Sequence, residues 1–213
     1  QRISQRSFIE LAKKRKAYMK TSPVLWCTEC QTSIAQAELE TKECETVFNY
    51  LNFTTPIGNL LIATTRPELL AGCACIFVHP DDKRYKKFIG QKAIVPLYDF
   101  EIPILADDIV AMDKGTGVVM CASFGDSADV EWYQKHKLTS KEVILADGTI
   151  SEKIDFIGKM TVKKARAYII ELLKKQNLLV KQETIHHMVA VHERCQHEVE
   201  FIMSKQWYID VLS

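Results

Sequence analysis

Two short pairs near opposite ends of the chain constrain its fold most. Cys27-Thr-Glu-Cys30 and His192-Glu-Arg-Cys195 share one spacing, ligand-x-x-ligand. Three thiols and an imidazole on two such knuckles suit a tetrahedral structural zinc ion. Closing that site would pin the two ends together, so the chain between must leave and return to one place. The competing reading takes Cys27 and Cys30 as ordinary thiols and His192 as a surface histidine; His197 is a reserve ligand.

The rest of the composition allows a packed core between those ends. Of 213 residues, 47% are hydrophobic and 26% charged, which suits one domain with an appendage or two small ones. With 28 basic against 27 acidic residues, net charge gives no general attraction to nucleic acid or membrane. No apolar run approaches the roughly 20 residues of a membrane span, and Gln1-Arg-Ile-Ser-Gln-Arg6 lacks an apolar signal core. Seven cysteines make no dense disulfide framework, so the expected setting is reducing and cytoplasmic. The chain starts without methionine and stops in ordinary sequence, so a fragment of a longer protein is expected.

Ser7-Phe-Ile-Glu10 has the form of a capping box and predicts a helix to about Lys20, broken by Ser22-Pro23. The run Lys13 to Lys16 suits the end of a helix dipole, or RNA phosphates. Thr46 to Phe53 alternates and leads through Pro56-Ile-Gly58 to Leu60–Thr65, two strands about a turn. Ala71 to Val78, Ala93 to Leu97 and Ile102 to Ala106 continue a series of short strands, with Pro96 and Pro103 expected at edges or bulges. Ser127 to His136 and Thr161 to Asn177 have helical periodicity, the second with Val162, Ala165, Ile169, Leu172 and Leu173 on one face. Val189 to His192 and Val199 to Met203 read as short strands. The expected class is α+β, a β-barrel-like core with peripheral helices. Residues 1–45 would form an N-terminal helix and Cys-x-x-Cys stalk, 46–187 the core, and 188–213 a return segment pairing with the stalk.

Two stretches inside that core carry chemistry. Ile62-Ala-Thr-Thr-Arg-Pro-Glu68 is an apolar strand ending in two hydroxyls and a cation. Lys114-Gly-Thr-Gly117 hinges a second strand that runs into Asp126 and Asp129 at a helix start. Glycines permit close approach of a ligand, and acids at a helix N-terminus are also ordinary caps, although one cap needs one acid. Cys121, between Met120 and Ala122, reads as a small core residue rather than a nucleophile. His186-His187 on a strand would face opposite sides, which argues against a metal pair.

At these residues the sequence resembles a known family. Ile62–Glu68, Val78-His-Pro-Asp-Asp-Lys-Arg-Tyr85, Pro103-Ile-Leu-Ala-Asp107 and Gly115 to Asp129 look, in order and spacing, like the editing insertion of valyl-tRNA synthetases. Ser7 to Lys13, Pro23 to Cys27, Gln31 to Glu38 and Ser204-Lys-Gln-Trp-Tyr208 resemble the insertion's entry and exit. Glu68 to Cys73 and Val119 to Asp126 are more similar to the archaeal-type branch. Bacterial relatives usually place a lysine, a threonine and Pro-Ala-His near Met120, Ala122 and Ser123–Gly125, so roles of those side chains do not transfer. No His-Ile-Gly-His or Lys-Met-Ser-Lys-Ser motif is present, so the resemblance implies a piece that does not activate amino acids.

The resemblance implies hydrolysis of threonine from mischarged tRNA(Val) by water, without a covalent nucleophile or a cofactor for the step. It places Asp129 on the substrate ammonium and Asp126 on the threonine hydroxyl or the water. Thr64 and Thr65 would hold water or ribose, and Arg66 would anchor the tRNA end or brace the loop. Glu68, Lys114, Gly115, Thr116 and Gly117 join it on the substrate and tRNA side. Expected partners are tRNA(Val) carrying threonine and the remainder of the synthetase chain, with no membrane. A second reading is a non-catalytic, zinc-stabilised tRNA-binding module.

Overall fold

The computed structural model describes residues 1–211, so the last two residues of the expected return segment lie outside the described residues. Helix α1 (Arg2–Lys13) is followed by β1 (Ala17–Cys27), β2 (Thr32–Ser33), β3 (Leu39–Thr55), β4 (Gly58–Thr64), β5 (Cys73–Val78), β6 (Lys92–Ile94), β7 (Glu101–Ala106) and β8 (Val118–Ala122). Helices α2 (Ser127–Lys135) and α3 (Val162–Lys175) come next, then β9 (Leu179–His192) and β10 (Glu200–Ile209).

The strands form two sheets. One has the order β10-β1-β2, and the other β4-β3-β6-β7-β5-β8, with β9 also pairing β3. The larger sheet is mixed, since β5 runs parallel to β7 and antiparallel to β8. It curls into a half-barrel that brings Gly115, just before β8, against Ala63 of β4. The α+β reading holds at that level. β3 and β9 form one ladder from Leu39↔His192 to Leu51↔Leu179, and the expected boundaries at 45/46 and 187/188 fall within it.

The core explains why β5 does not alternate in sequence. Ile76 and Val78 face a cluster with Leu51, Phe53, Ile62, Ile104, Ile169 and Leu173. Cys75 and Phe77 face a second cluster with Cys121, Trp132 and Tyr133. A strand buried on both faces reads as a continuous apolar run. Helix α3 covers the first cluster through Ala165, Ile169 and Leu173 and stops where Asn177 turns left-handed at φ 56°. Burying such Ile and Leu side chains stabilises by about 1.5–3 kcal/mol each.

Two local expectations are corrected. The N-terminal helix starts at Arg2, so Ser7 lies within it and does not cap it, and it ends at Lys13 and not near Lys20, because Ala17 to Trp26 pairs with β10; long-range pairing overrides local helical propensity. Ser22-Pro23 therefore lies inside a strand. β2 pairs with β1 at Trp26 and Cys27 alone, so Pro23 has a ladder on one side. Pro103 sits in β7, an interior strand between β6 and β5, rather than at a sheet edge. It is tolerated because its rung faces Lys92 on one side while pairing with β5 begins at Ile104.

Candidate active site

The strand β4 ends at Thr64, and the chain turns sharply so that Pro67 opens a short 3₁₀ turn. Thr64 Oγ1 accepts the Arg66 backbone N–H at 3.1 Å, which leaves its own proton free to donate. Asn49, buried in β3, donates from Nδ2 to the Thr64 carbonyl at 3.3 Å. Thr65 is half-buried beside it.

Arg66 is committed to protein partners. Nε donates to Glu68 Oε1 at 3.1 Å, Nη2 to Glu200 Oε1 at 2.9 Å, and Nη1 to the Gly125 carbonyl at 3.3 Å. Burial works against its charge, but Glu200 and Glu68 more than offset this and hold its pKa above the ordinary value. Glu68 is 0% exposed. Both its oxygens also accept from Arg166 of α3, at 2.9 Å each. Glu68 thus lies beneath the floor of the site, between two guanidinium groups, where a lone carboxylate would be costly.

The Arg66–Gly125 bond joins the two stretches singled out in the sequence. Ser123 and Phe124 both adopt positive φ, 41° and 59°, a conformation costly for residues with a Cβ. The turn is held by Ser123 Oγ donating to the Lys141 carbonyl at 2.7 Å and by Tyr133 Oη at 3.2 Å from the Ser123 N–H. Helix α2 then starts with reciprocal caps. Asp126 Oδ1 accepts the Asp129 N–H at 3.0 Å, and Asp129 Oδ2 accepts the Gly125 N–H at 2.8 Å. At its other end α2 is tied down by Asp107, whose Oδ2 pairs with His136 Nε2 at 2.7 Å and Lys135 Nζ at 2.9 Å.

The two acids differ in environment. Asp126 is exposed, whereas Asp129 is 6% exposed. Burial, with a smaller contribution from the Asp126 charge, pushes the Asp129 carboxyl up to about 7. Cys121 also faces Asp129; a hydrogen bond with Cys75 and burial hold its thiol far above the ordinary range, so it has no thiolate character. Gly115 and Gly117 have φ 59° and 80°. A Cβ on Gly117 would meet Arg84 and the Met112 carbonyl. Tyr85 Oη donates to the Thr116 carbonyl at 2.8 Å, and Lys114 is exposed on this loop.

The knuckles meet as expected from their spacing. One ligand atom from each of Cys27, Cys30, His192 and Cys195 lies within 4.8 Å of the others. Cys27 Sγ and Cys195 Sγ are 3.5 Å apart, Cys195 Sγ and His192 Nδ1 3.4 Å. Those spacings are near the edges of a tetrahedron with bonds of about 2.3 Å, so the set could hold a metal ion. His197, the reserve ligand, is exposed and contributes its carbonyl to the His192 N–H. Trp26 Nε1 ties the knuckle strand to the core at the Ala146 carbonyl, 2.8 Å away. His186 and His187 are both exposed and belong to no such group.

Sequence reasoning missed Glu200 and Arg166. Neither lies in the quoted motifs, and an acid at the start of a strand carries no local signal. The left-handed conformation of Ser123 and Phe124 in the turn before α2 was also missed, because non-glycine residues do not advertise positive φ.

A family model described as "Leucyl-tRNA synthetase, editing domain" matches residues 81–187, about half of the chain, which therefore belongs to the editing-domain family of aminoacyl-tRNA synthetases. The whole chain is also 46% identical over 215 residues to the "Valine--tRNA ligase" of Rickettsia typhi, covering 26% of that protein. It is 40% identical over 221 residues to that of Haloarcula marismortui, covering 24%. Within the family it is the editing (CP1) segment of the valyl-tRNA synthetase type, as the sequence resemblance implied, and spans about a quarter of the length of these relatives. The "ternary complex of Agrobacterium radiobacter K84 agnB2 LeuRS-tRNA-LeuAMS" has a similar fold. Its TM-score is 0.51 at 16% identity, over 86% of this chain and 32% of that one.

Proposed function

We propose that this segment hydrolyses the ester of threonine mischarged onto tRNA(Val). The observation that carries the reading is the junction of the Thr64–Arg66 strand end with the Asp126–Asp129 helix start through the Arg66–Gly125 bond. An apolar activation pocket rejects the added hydroxyl of threonine by only about 100-fold, a magnitude known for valyl enzymes themselves and not obtained from this chain. A second, hydrolytic site supplies the remaining discrimination.

Asp129 receives the substrate ammonium through a charge-assisted hydrogen bond. Exposed Asp126 reads the threonine hydroxyl or orients the water. Thr64, with a proton to donate, and Thr65 hold water or the terminal ribose. Arg66 and Glu68 brace this wall from behind, while Lys114, Gly115, Thr116 and Gly117 border the tRNA end, Lys114 supplying a cation for phosphate. When valine binds, a group that bonds the threonine hydroxyl is left unpaired, at about 1–3 kcal/mol. No cofactor takes part in the hydrolysis.

Cys27, Cys30, His192 and Cys195 fit a structural zinc ion, which would hold the stalk of residues 1–45 and the return segment 188–213 to one another beside the 46–187 core. The remaining partners are the rest of the synthetase chain and tRNA(Val), in the cytoplasm; no helix among the described residues is long and apolar enough to cross a membrane. Incubation with Thr-tRNA(Val) and Val-tRNA(Val) tests the reading. Selective release of threonine, lost in Asp129→Ala, is expected. Salt-sensitive tRNA binding without release of threonine would instead support a binding module.

A further inference from the structure

We propose that Glu200, at the start of β10, is a positioning residue for the editing site: through Arg66 it holds the Gly125 carbonyl and so, across the Gly125 Cα, the placement of the Gly125 N–H that bonds the carboxylate of Asp129. The proposal rests on the hydrolytic reading above.

The links are continuous. Glu200 accepts from Arg66 Nη2 at 2.9 Å and lies 2.8 Å from Nη1. The same Nη1 donates to the Gly125 carbonyl, and the other face of that residue, its N–H, donates to Asp129. Glu200 is 8% exposed, and its neighbour Phe201 packs against the cluster that contains Trp132 and Tyr133 of α2. Oε1 takes the one hydrogen bond and buried Oε2 is paired with Nη1 by charge alone, without hydrogen-bond geometry; a charge-assisted bond of this kind sets the direction of a buried carboxylate. Without it, Arg66 keeps Glu68, which Arg166 already satisfies, and its hold on Gly125 is no longer set from the β10 side. Glu200 belongs to the strand that pairs with β1. Glu200 therefore links the stalk sheet to the site, and the docking of that sheet is coupled to the geometry at Asp129.

The test uses the full parent ligase and separates kcat from KM for release of threonine from Thr-tRNA(Val). Glu200→Gln keeps the shape and removes the charge; Glu200→Asp keeps the charge and shortens the arm. The expected order of kcat is wild type, then Asp, then Gln, with Gln down about tenfold or more and KM within about twofold. The Gly125 amide resonance, which reports its bond to Asp129, shifts in both variants. A packing role would give the opposite order, Gln above Asp, and would overturn the proposal, as would an unchanged kcat in Gln. If Gln does not fold, Asp alone must lower kcat and shift the Gly125 resonance; an unaltered Asp variant overturns the proposal. A wild-type ligase that releases no threonine defeats the hydrolytic reading and the proposal with it. A normal wild type beside an unaffected Glu200→Gln defeats the proposal alone.

Discussion

The Gly125 N–H donates to Asp129 Oδ2 at 2.8 Å, which ties the buried acid of the site to the turn before its own helix. The bond is short, but it does not compensate for burial. Asp129 therefore holds its proton up to about pH 7, against an ordinary value of 3.8. The folded chain binds a proton that the unfolded chain releases between those two pH values. The contribution of Asp129 to stability thus falls as pH rises from about 4 to about 7, by on the order of a few kcal/mol. Asp129→Asn keeps an acceptor for Gly125 and abolishes this slope. Urea unfolding of both forms at pH 4.5 and pH 8 checks it: equal pH dependence in wild type and variant would contradict the burial of a titrating Asp129.

Asp126 caps α2 and is proposed to act on substrate or water, and two substitutions separate those roles. Asp126→Ala removes the cap and costs about 1 kcal/mol, whereas Asp126→Asn preserves it to within a few tenths. If Asp126 acts on substrate or water, the Asn variant loses threonine release while its unfolding midpoint stays with the wild type. Parallel loss of stability and activity, confined to the Ala variant, would leave Asp126 a cap alone.

Metal removal tests the knuckles. Protein purified without chelator is expected to hold about one equivalent of zinc. Stripping it, or Cys27→Ser, lowers the unfolding temperature, because four donors contributed by distant parts of the chain lose their common centre. The β1–β10 ladder is the element that then frays, read as faster amide exchange at Val24 and Ile202, which face one another in the register. Unchanged exchange and melting after complete removal would deny the ion a structural role.

The sequence made the site more legible than its supports. Thr64 to Arg66 and Asp126 to Asp129 stand out in the sequence because each group lies in one contiguous motif, and the structure brings the two motifs together at the Arg66–Gly125 bond. Helix α3 was legible from its one apolar face, and the β3–β4 hairpin from its alternation. Glu200 and Arg166 were not, since what they do depends on a pairing partner far away in the chain. The same reason hid β1: Ala17 to Cys27 has no strand pattern of its own, and its conformation comes from β10. The length of β9 was missed likewise, because Lys181 to Met188 is largely exposed and shows no buried face to betray a strand held by β3.

If Asp129 receives the substrate ammonium, binding must release a proton. An opposite charge favours the ionised carboxylate and pulls its pKa back down. At pH 6 the ligand amine, with an ordinary pKa of about 7.7–8, is already charged, so it takes up almost nothing. Asp129, pushed up to about 7, is mostly protonated at that pH and must lose its proton to make the ion pair. Calorimetry of a non-hydrolysable threonyl-adenosine amide, in two buffers of different ionisation enthalpy, is expected to show release approaching one proton at pH 6. The release should be absent in Asp129→Asn at pH 6, and in the wild type should give way by about pH 8.5 to proton uptake by the ligand amine, which is mostly neutral when free at that pH. Proton uptake at pH 6, or binding at that pH with no buffer dependence in the wild type, would move the ammonium away from Asp129 and onto exposed Asp126, the other acid at the helix start.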